Sequence, residues 1–169
     1  LESELIKAAD LTFVVSETEK DWLAKEIPNA PVHVIGNVHS EDLSKTAFED
    51  RDGLLFVGSW AHPPNQDSIE FLVNEVMPLL WESNPNLILN LAGSGIPMQF
   101  GAKENRVICH GWVEDLAPLY NKVLVSVAPL RYGAGLKGKV GESMCRGVPV
   151  VGTKVAFEGY EIGQHAEII

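Results

Sequence analysis

The stretch KVLVSVAPLRYGAGLKGKVGESMCRGVPVVGT, residues 122–153, decides the fold of this chain. It opens on an apolar run, KVLVSVAPL, passes through a glycine-rich segment, and closes on a second apolar run, VPVVGT. Between them, KVGESMCRG has the spacing of a helix with one apolar face. Strand, glycine-rich turn, helix and strand make a βαβ unit. Its two strands are parallel, and its turn lies at the end of the sheet where ligands bind.

The same alternation extends outward. LTFVV (residues 11–15) reads as a short strand, and SETEKDWLAKEI as a helix opened by the capping box of Ser16 and Glu19. PVHVIG is strand-like and runs into a polar connection, NVHSEDLSKTAFEDRDG, long enough to mark a domain boundary. A longer series follows. LLFVG is a strand ending at Gly58, SWAHPPNQDS is a loop, and IEFLVNEVMPLLWES carries Ile69, Leu72, Val73, Val76, Leu79 and Leu80 at helical spacing. NLILNLAG and RVICHG are strands, WVEDLAPLYN is a short helix capped near Glu114 or Asp115, and AEII starts a last strand.

Strands that are apolar throughout and alternate with helices predict an α/β fold, a doubly wound parallel sheet covered on both faces. Gly58, Gly93, Gly111, Gly133 and Gly135 then fall at the carboxyl rim, where backbone comes closest to a ligand. The division expected is residues 1–40 against residues 41–169.

Composition narrows the class. A chain of 169 residues, 46% hydrophobic and 21% charged, is that of an ordinary globular protein. Its formal net charge of -10 argues against nucleic-acid binding, which needs a broad basic surface. It still allows a few lysines to face one diphosphate. Cys109 and Cys145 have no metal-ligand spacing and read as buried thiols. No apolar run reaches the length of a membrane span, and no signal peptide opens the chain. The first residue is leucine, so the chain is expected to be a piece of a longer one.

The segment YGAGLKGKVGES admits three chemical readings. Gly133, Gly138 and Lys139 nearly complete a P-loop, but Val140 occupies the position of the metal-binding hydroxyl. Gly133, Gly135 and Gly138 satisfy the dinucleotide fingerprint, and Glu158 follows at about the right distance. That glutamate lies beyond the end of VPVVGT, however, where it would not end a strand. The third reading places Lys139, Glu142 and Arg146 on one helix face with Gly135, and Leu136, Val140 and Met144 on the opposite, buried face. Lysines at a helix amino end suit a diphosphate, and a glutamate one turn deeper suits two ribose hydroxyls. The plain alternative is a solvated face with its charges paired along the helix.

FVGSWAHPPNQDSIEFLVNEVMPLL, GWVEDL and VSVAPLRYGAGLKGKVGESMCRGVPVVGTKVAFEGYE follow one another in this order. Together they resemble the nucleotide-sugar-binding half of GT-B glycosyltransferases of retaining family 4, the glycosyl transferases group 1. ADLTFVVSETEKDWL and VHVIGN look like the last βαβ of the acceptor-side half and its hinge. The resemblance implies a Rossmann-like donor domain of an enzyme that transfers a sugar, with retention, from a nucleotide diphosphate sugar to an acceptor hydroxyl. It implies that Glu142, the second glutamate of E-x7-E, meets the ribose, and that Lys137 or Lys139 stabilises the leaving diphosphate. Gly58 and Ser59 would lie under the phosphates, Trp112 and Val113 would touch the base, and Gly133, Ala134, Gly135 and Gly138 would approach the sugar and phosphates, with help from Arg131.

It further implies no cofactor and no required metal, an acceptor held through the amino-terminal half, and a cytoplasmic enzyme whose full-length form is open to peripheral membrane association. A fragment without that half is expected to bind nucleotide and transfer slowly or not at all. The chain departs from the pattern at Ala134, which replaces the first glutamate of the motif, and in GSWAHPPN, which carries only His62 where a basic residue is common. His62 stands where it either touches a phosphate or an acceptor or, beside two prolines, is structural, and His110 reads as a packing or rim residue. Trp60 and Trp112 stand where they either stack on a base or cover the sheet edge. No serine lies in a G-x-S-x-G elbow. Two other classes stay open on sequence alone: an NAD-type dinucleotide domain, and a non-catalytic nucleotide- or sugar-binding module, for which Ala134 is the best argument.

Overall fold

The computed structural model describes residues 2–160. Helix α1 (Glu2–Ala8) leads into β1 (Thr12–Val14), α2 (Glu17–Glu26) and β2 (Val32–Val34), and β1 and β2 pair in parallel as a two-stranded sheet. A connection with a single 3-10 turn at Phe48–Asp50 follows. The second series is β3 (Leu54–Val57), α3 (Pro63–Phe71), α4 (Met77–Ser83), β4 (Leu89–Ala92), α5 (Gln99–Lys103), β5 (Val107–Gly111), α6 (Ala117–Tyr120), β6 (Val125–Ala128), α7 (Gly138–Cys145) and β7 (Val150–Gly152).

Five strands of this series form a parallel sheet in the order β5-β4-β3-β6-β7. The chain starts at the centre, winds outward through β4 and β5, then returns to the other side of β3. That is the doubly wound arrangement expected from the apolar strands, and its switch point lies between β3 and β6. Leu55 and Phe56 show why β3 reads as an unbroken apolar run. They are consecutive, both are 0% exposed, and they belong to different core clusters. Phe56 packs with Ile69, Leu72, Met77 and Leu91, and Leu55 with Tyr120, Val123 and Val148. Truncating Phe56 to alanine would cost about 3–5 kcal/mol.

Several local expectations need correction. The segment SWAHPPNQDS is not a loop throughout: α3 starts at Pro63, because Pro63 and Pro64 occupy its first positions, where a missing N–H costs nothing. The helical run over residues 63–83 is not uniform either. It widens to a π turn over Leu72–Val76, just before Pro78, whose nitrogen cannot donate to the preceding turn. Helix α7 begins at Gly138, with Lys137 as its cap. Its buried residues are Val140, Gly141 and Ser143, whereas Met144 is 50% exposed. Ser143 can be buried because its hydroxyl donates to the Lys139 carbonyl at 2.9 Å. Cys109 and Cys145 are free thiols, but partly rather than fully buried.

The Ser16–Glu19 box forms with a shift. Ser16 Oγ accepts from the Glu19 N–H at 3.2 Å, while Glu19 Oε2 accepts from the Val15 N–H at 3.0 Å. Asp115 Oδ1 accepts from the Ala117 N–H at 2.9 Å and starts α6. The strand expected in AEII lies outside the described residues. Among the described residues no helix is long and apolar enough to cross a membrane.

Candidate functional site

The crevice at the switch point is walled by the loop after β3 and by the glycine-rich loop before α7. Glycine is required on the first wall. Gly93, with φ +152°, backs directly onto it, and a Cβ there would meet the Gly58 carbonyl oxygen at 2.0 Å. The Gly93 N–H donates to the Gly111 carbonyl at 2.7 Å, so three of the five rim glycines stand side by side. Ser59 Oγ bonds Ser94 Oγ at 2.9 Å.

Helix α7 forms the second wall and is held at both ends. At its amino end the Tyr160 hydroxyl donates to the Lys137 carbonyl at 2.8 Å and accepts from the Gly141 N–H at 3.0 Å. At its carboxyl end the connection between the sheets supplies donors: Asp42 N–H to the Cys145 carbonyl at 3.3 Å and Ser44 N–H to the Arg146 carbonyl at 2.9 Å. Orphan carbonyls of the last turn are thereby satisfied. The Gly138 and Lys139 N–H groups have no carbonyl acceptor among the described residues, and a Cβ at Gly138 would meet nothing within 4 Å. N–H groups without a carbonyl partner at a helix amino end favour an anion.

The two lysines differ. Lys139 donates to Asn65 Oδ1 at 2.6 Å and lies 4.3 Å from the centre of the Phe56 ring. Burial, aided by the charge on Lys137, pushes its ammonium down to about 8. Lys137 donates to the Gly135 carbonyl and stands 3.5 Å from Glu158, its side chain only 10% exposed. Glu158, which the dinucleotide reading would set on a ribose, is thus a partner of Lys137. Gly133 packs near Pro64 of α3 and the Lys137 side chain, and Ala134 and Gly135 line a cleft. That cleft measures about 620 Å³ and is also bounded by Phe13, Glu19, Trp22 and Glu158, so the amino-terminal βαβ faces the glycine-rich loop across it.

Glu142 is 3.5 Å from Arg146, whose guanidinium also meets Asp42 at 3.1 Å. Arg131 is bound to Asp67 at 2.9 Å and stacks over Phe71, and it holds the Asp67 carboxyl below the usual range. Trp112 is 70% exposed at the end of β5, while Val113 packs on the core. Trp60 packs against Phe100, and His110 Nε2 meets Asn90 Oδ1 at 2.8 Å, with burial lowering its basicity. Contacts therefore join Gly133 and Gly135 to Lys137, and Gly58 and Ser59 to Lys139 through Asn65, a residue absent from the expectations. Its only sequence signal was a polar residue after two prolines, which reads as a turn. Among the described residues no group of three or more His, Cys, Asp or Glu side chains could hold a metal ion.

Comparison with known proteins agrees with this architecture. The family model described as glycosyl transferases group 1 matches residues 51–168. A curated relative, an uncharacterised 44.6 kDa protein in the cps region of Klebsiella pneumoniae, is 28% identical over 116 residues, 63% of this chain and 30% of that protein. Among solved structures, TarM superposes with a TM-score of 0.80 at 16% identity, over 99% of this chain and 34% of its own. The pneumococcal O-GlcNAc transferase GtfA, in complex with UDP and GlcNAc, gives 0.73 at 16% identity over 95% and 34%. WaaG, a glycosyltransferase involved in lipopolysaccharide biosynthesis, gives 0.65 at 20% identity over 88% and 45%. These likenesses show the Rossmann-like fold of GT-B enzymes. The chain spans about a third of the length of the first two structures and of the curated relative.

Proposed function

The chain belongs to the glycosyl transferases group 1, and on that premise we propose that it is the donor-binding part of a retaining glycosyltransferase. The observation that carries the reading is the placing of Lys137 and Lys139 at the amino end of α7, with Lys139 tied through Asn65 to the loop after β3. A diphosphate has the charge to suit two lysines at a helix amino end. Pneumococcal GtfA, a structural neighbour, was solved with UDP and GlcNAc, which supports a nucleotide-sugar donor here.

In this account the lysines and helix amino end hold the diphosphate, Glu142 meets the ribose, and the loop of Trp112 and Val113 meets the base. The acceptor oxygen forms a bond to the anomeric carbon as the bond from that carbon to the phosphate oxygen breaks. The acceptor proton passes to the departing diphosphate, and the configuration is kept. Fixed positive charge offsets the charge that develops on the leaving group, so no metal is needed. Residues 1–40 belong to the acceptor side, and the cleft of about 620 Å³ lies on the path between the halves.

The test is turnover by the full-length protein with UDP-, GDP- and ADP-sugars, with and without magnesium, reading nucleoside diphosphate release and the anomeric configuration of the product by NMR. Metal-independent release with retained configuration is expected. Inversion, or transfer only with magnesium, would refute the mechanism.

A further inference from the structure

We propose that Asn65 is a positioning residue of the donor site, fixing the Lys139 ammonium at the loop after β3 where the diphosphate would lie. The proposal rests on the donor-site reading and adds a role to a residue outside the motif positions.

Asn65 lies in the first turn of α3 and is 6% exposed. Its carboxamide works at both ends: Nδ2 donates to the Ser59 carbonyl at 2.9 Å, and Oδ1 accepts from Lys139 Nζ at 2.6 Å. Only a side chain carrying a donor and an acceptor on a short stem can do both. Aspartate lacks the donor, and leucine lacks both. The fit is tight on the other side too, since a Cβ at Gly58 would meet the carboxamide at 2.7 Å. Gly58, Ser59, Asn65 and Lys139 thus form a continuous link from β3 to α7 across the switch point.

The link has a chemical consequence. A free lysine samples many rotamers and loses them when it grips a ligand. Lys139 is already confined by Asn65 and by the Phe56 ring at 4.3 Å. Asn65 is neutral, so it aims the ammonium without cancelling its charge. The groups facing Lys139 are Asn65 from α3, the Phe56 ring from β3, and Lys137 beside it, whose charge lowers its basicity further.

Calorimetric titration of the full-length protein with UDP, over a range of pH, tests this in wild type, Asn65→Ala and Asn65→Asp. Wild-type affinity should fall as pH rises past about 8. Asn65→Ala should bind roughly tenfold more weakly near neutral pH, with the fall starting at lower pH. Asn65→Asp should shift the fall to higher pH, because a carboxylate favours the charged lysine. Opposite shifts in the two variants are not produced by loose packing alone. If Asn65→Ala does not fold, the near-isosteric Asn65→Asp decides by its pH profile. Wild-type affinity and profile in the variants, with wild type binding UDP, would overturn the positioning role alone. Absence of UDP binding by wild type and variants alike would overturn the proposal together with binding of this nucleotide.

Discussion

The Lys137 ammonium and the Glu158 carboxylate stand 3.5 Å apart at the mouth of the crevice, the lysine nearly covered and the glutamate partly exposed. Glu158 therefore offsets charge that a diphosphate would otherwise meet. Glu158→Gln keeps the shape and removes the competing anion. UDP affinity should tighten by roughly threefold to tenfold at low salt, with a smaller gain at high salt. Weaker binding in the variant would show that Glu158 supports the site rather than competing for it.

Lys139 trades stability for charge. Its basicity is depressed from the ordinary lysine value of 10.5 to about 8, so in that window the unfolded chain binds more protons than the folded one. Stability from this group therefore rises as pH climbs from about 8 toward 10.5. Lys139→Met should lack that rise and, at neutral pH, keep stability within about 1 kcal/mol of wild type, since relief of a buried charge offsets the lost bond to Asn65. Nucleotide binding should be lost. Denaturant unfolding at several pH values reads the first effect, and an unchanged pH slope would contradict it.

Gly93 joins two strands by having no side chain. With φ +152° and the Gly58 carbonyl oxygen 2.0 Å from any added Cβ, Gly93→Ala has no local escape. It should destabilise the chain by on the order of 3 kcal/mol or more. Loss of less than about 1 kcal/mol in urea unfolding would mean that the rim yields more readily than its geometry implies.

The proposed donor site sets Glu142 on the ribose. Glu142→Ala should weaken UDP binding roughly tenfold and 2′-deoxy-UDP binding by less, because the deoxy sugar keeps only the 3′-hydroxyl partner of the contact. Equal loss on both ligands would place Glu142 elsewhere. Its contact with Arg146 at 3.5 Å is long and only partly exposed, and Asp42 stays on that guanidinium at 3.1 Å, so global stability should fall by about 1 kcal/mol or less.

Much of the fold could be read from residues alone, for a physical reason. Strands buried on both faces read as nearly unbroken apolar runs, as Leu55 and Phe56 show, and such runs alternating with helices mark a parallel sheet covered on both faces. Features that depend on what packs against a helix were not legible. Met144 looked like a core residue by spacing, yet α7 is turned so that Ser143 takes the buried place, its hydroxyl satisfied within the helix. The π turn at Leu72–Val76 leaves no trace in periodicity. Lys137 and Lys139 were recognisable as a pair, but not that one faces Glu158 and the other Asn65, because those partners are 21 and 74 residues away. The bond between Asn65 and Lys139 exists only once β3 and α7 meet at the switch point.

The most direct measurement is calorimetric titration of the protein with UDP, GDP, ADP and NAD, with and without magnesium, in wild type and Lys139→Ala. The account predicts that one nucleoside diphosphate binds preferentially, without metal, and that the variant loses it. Preferential binding of NAD, or diphosphate binding indifferent to Lys139, would contradict it.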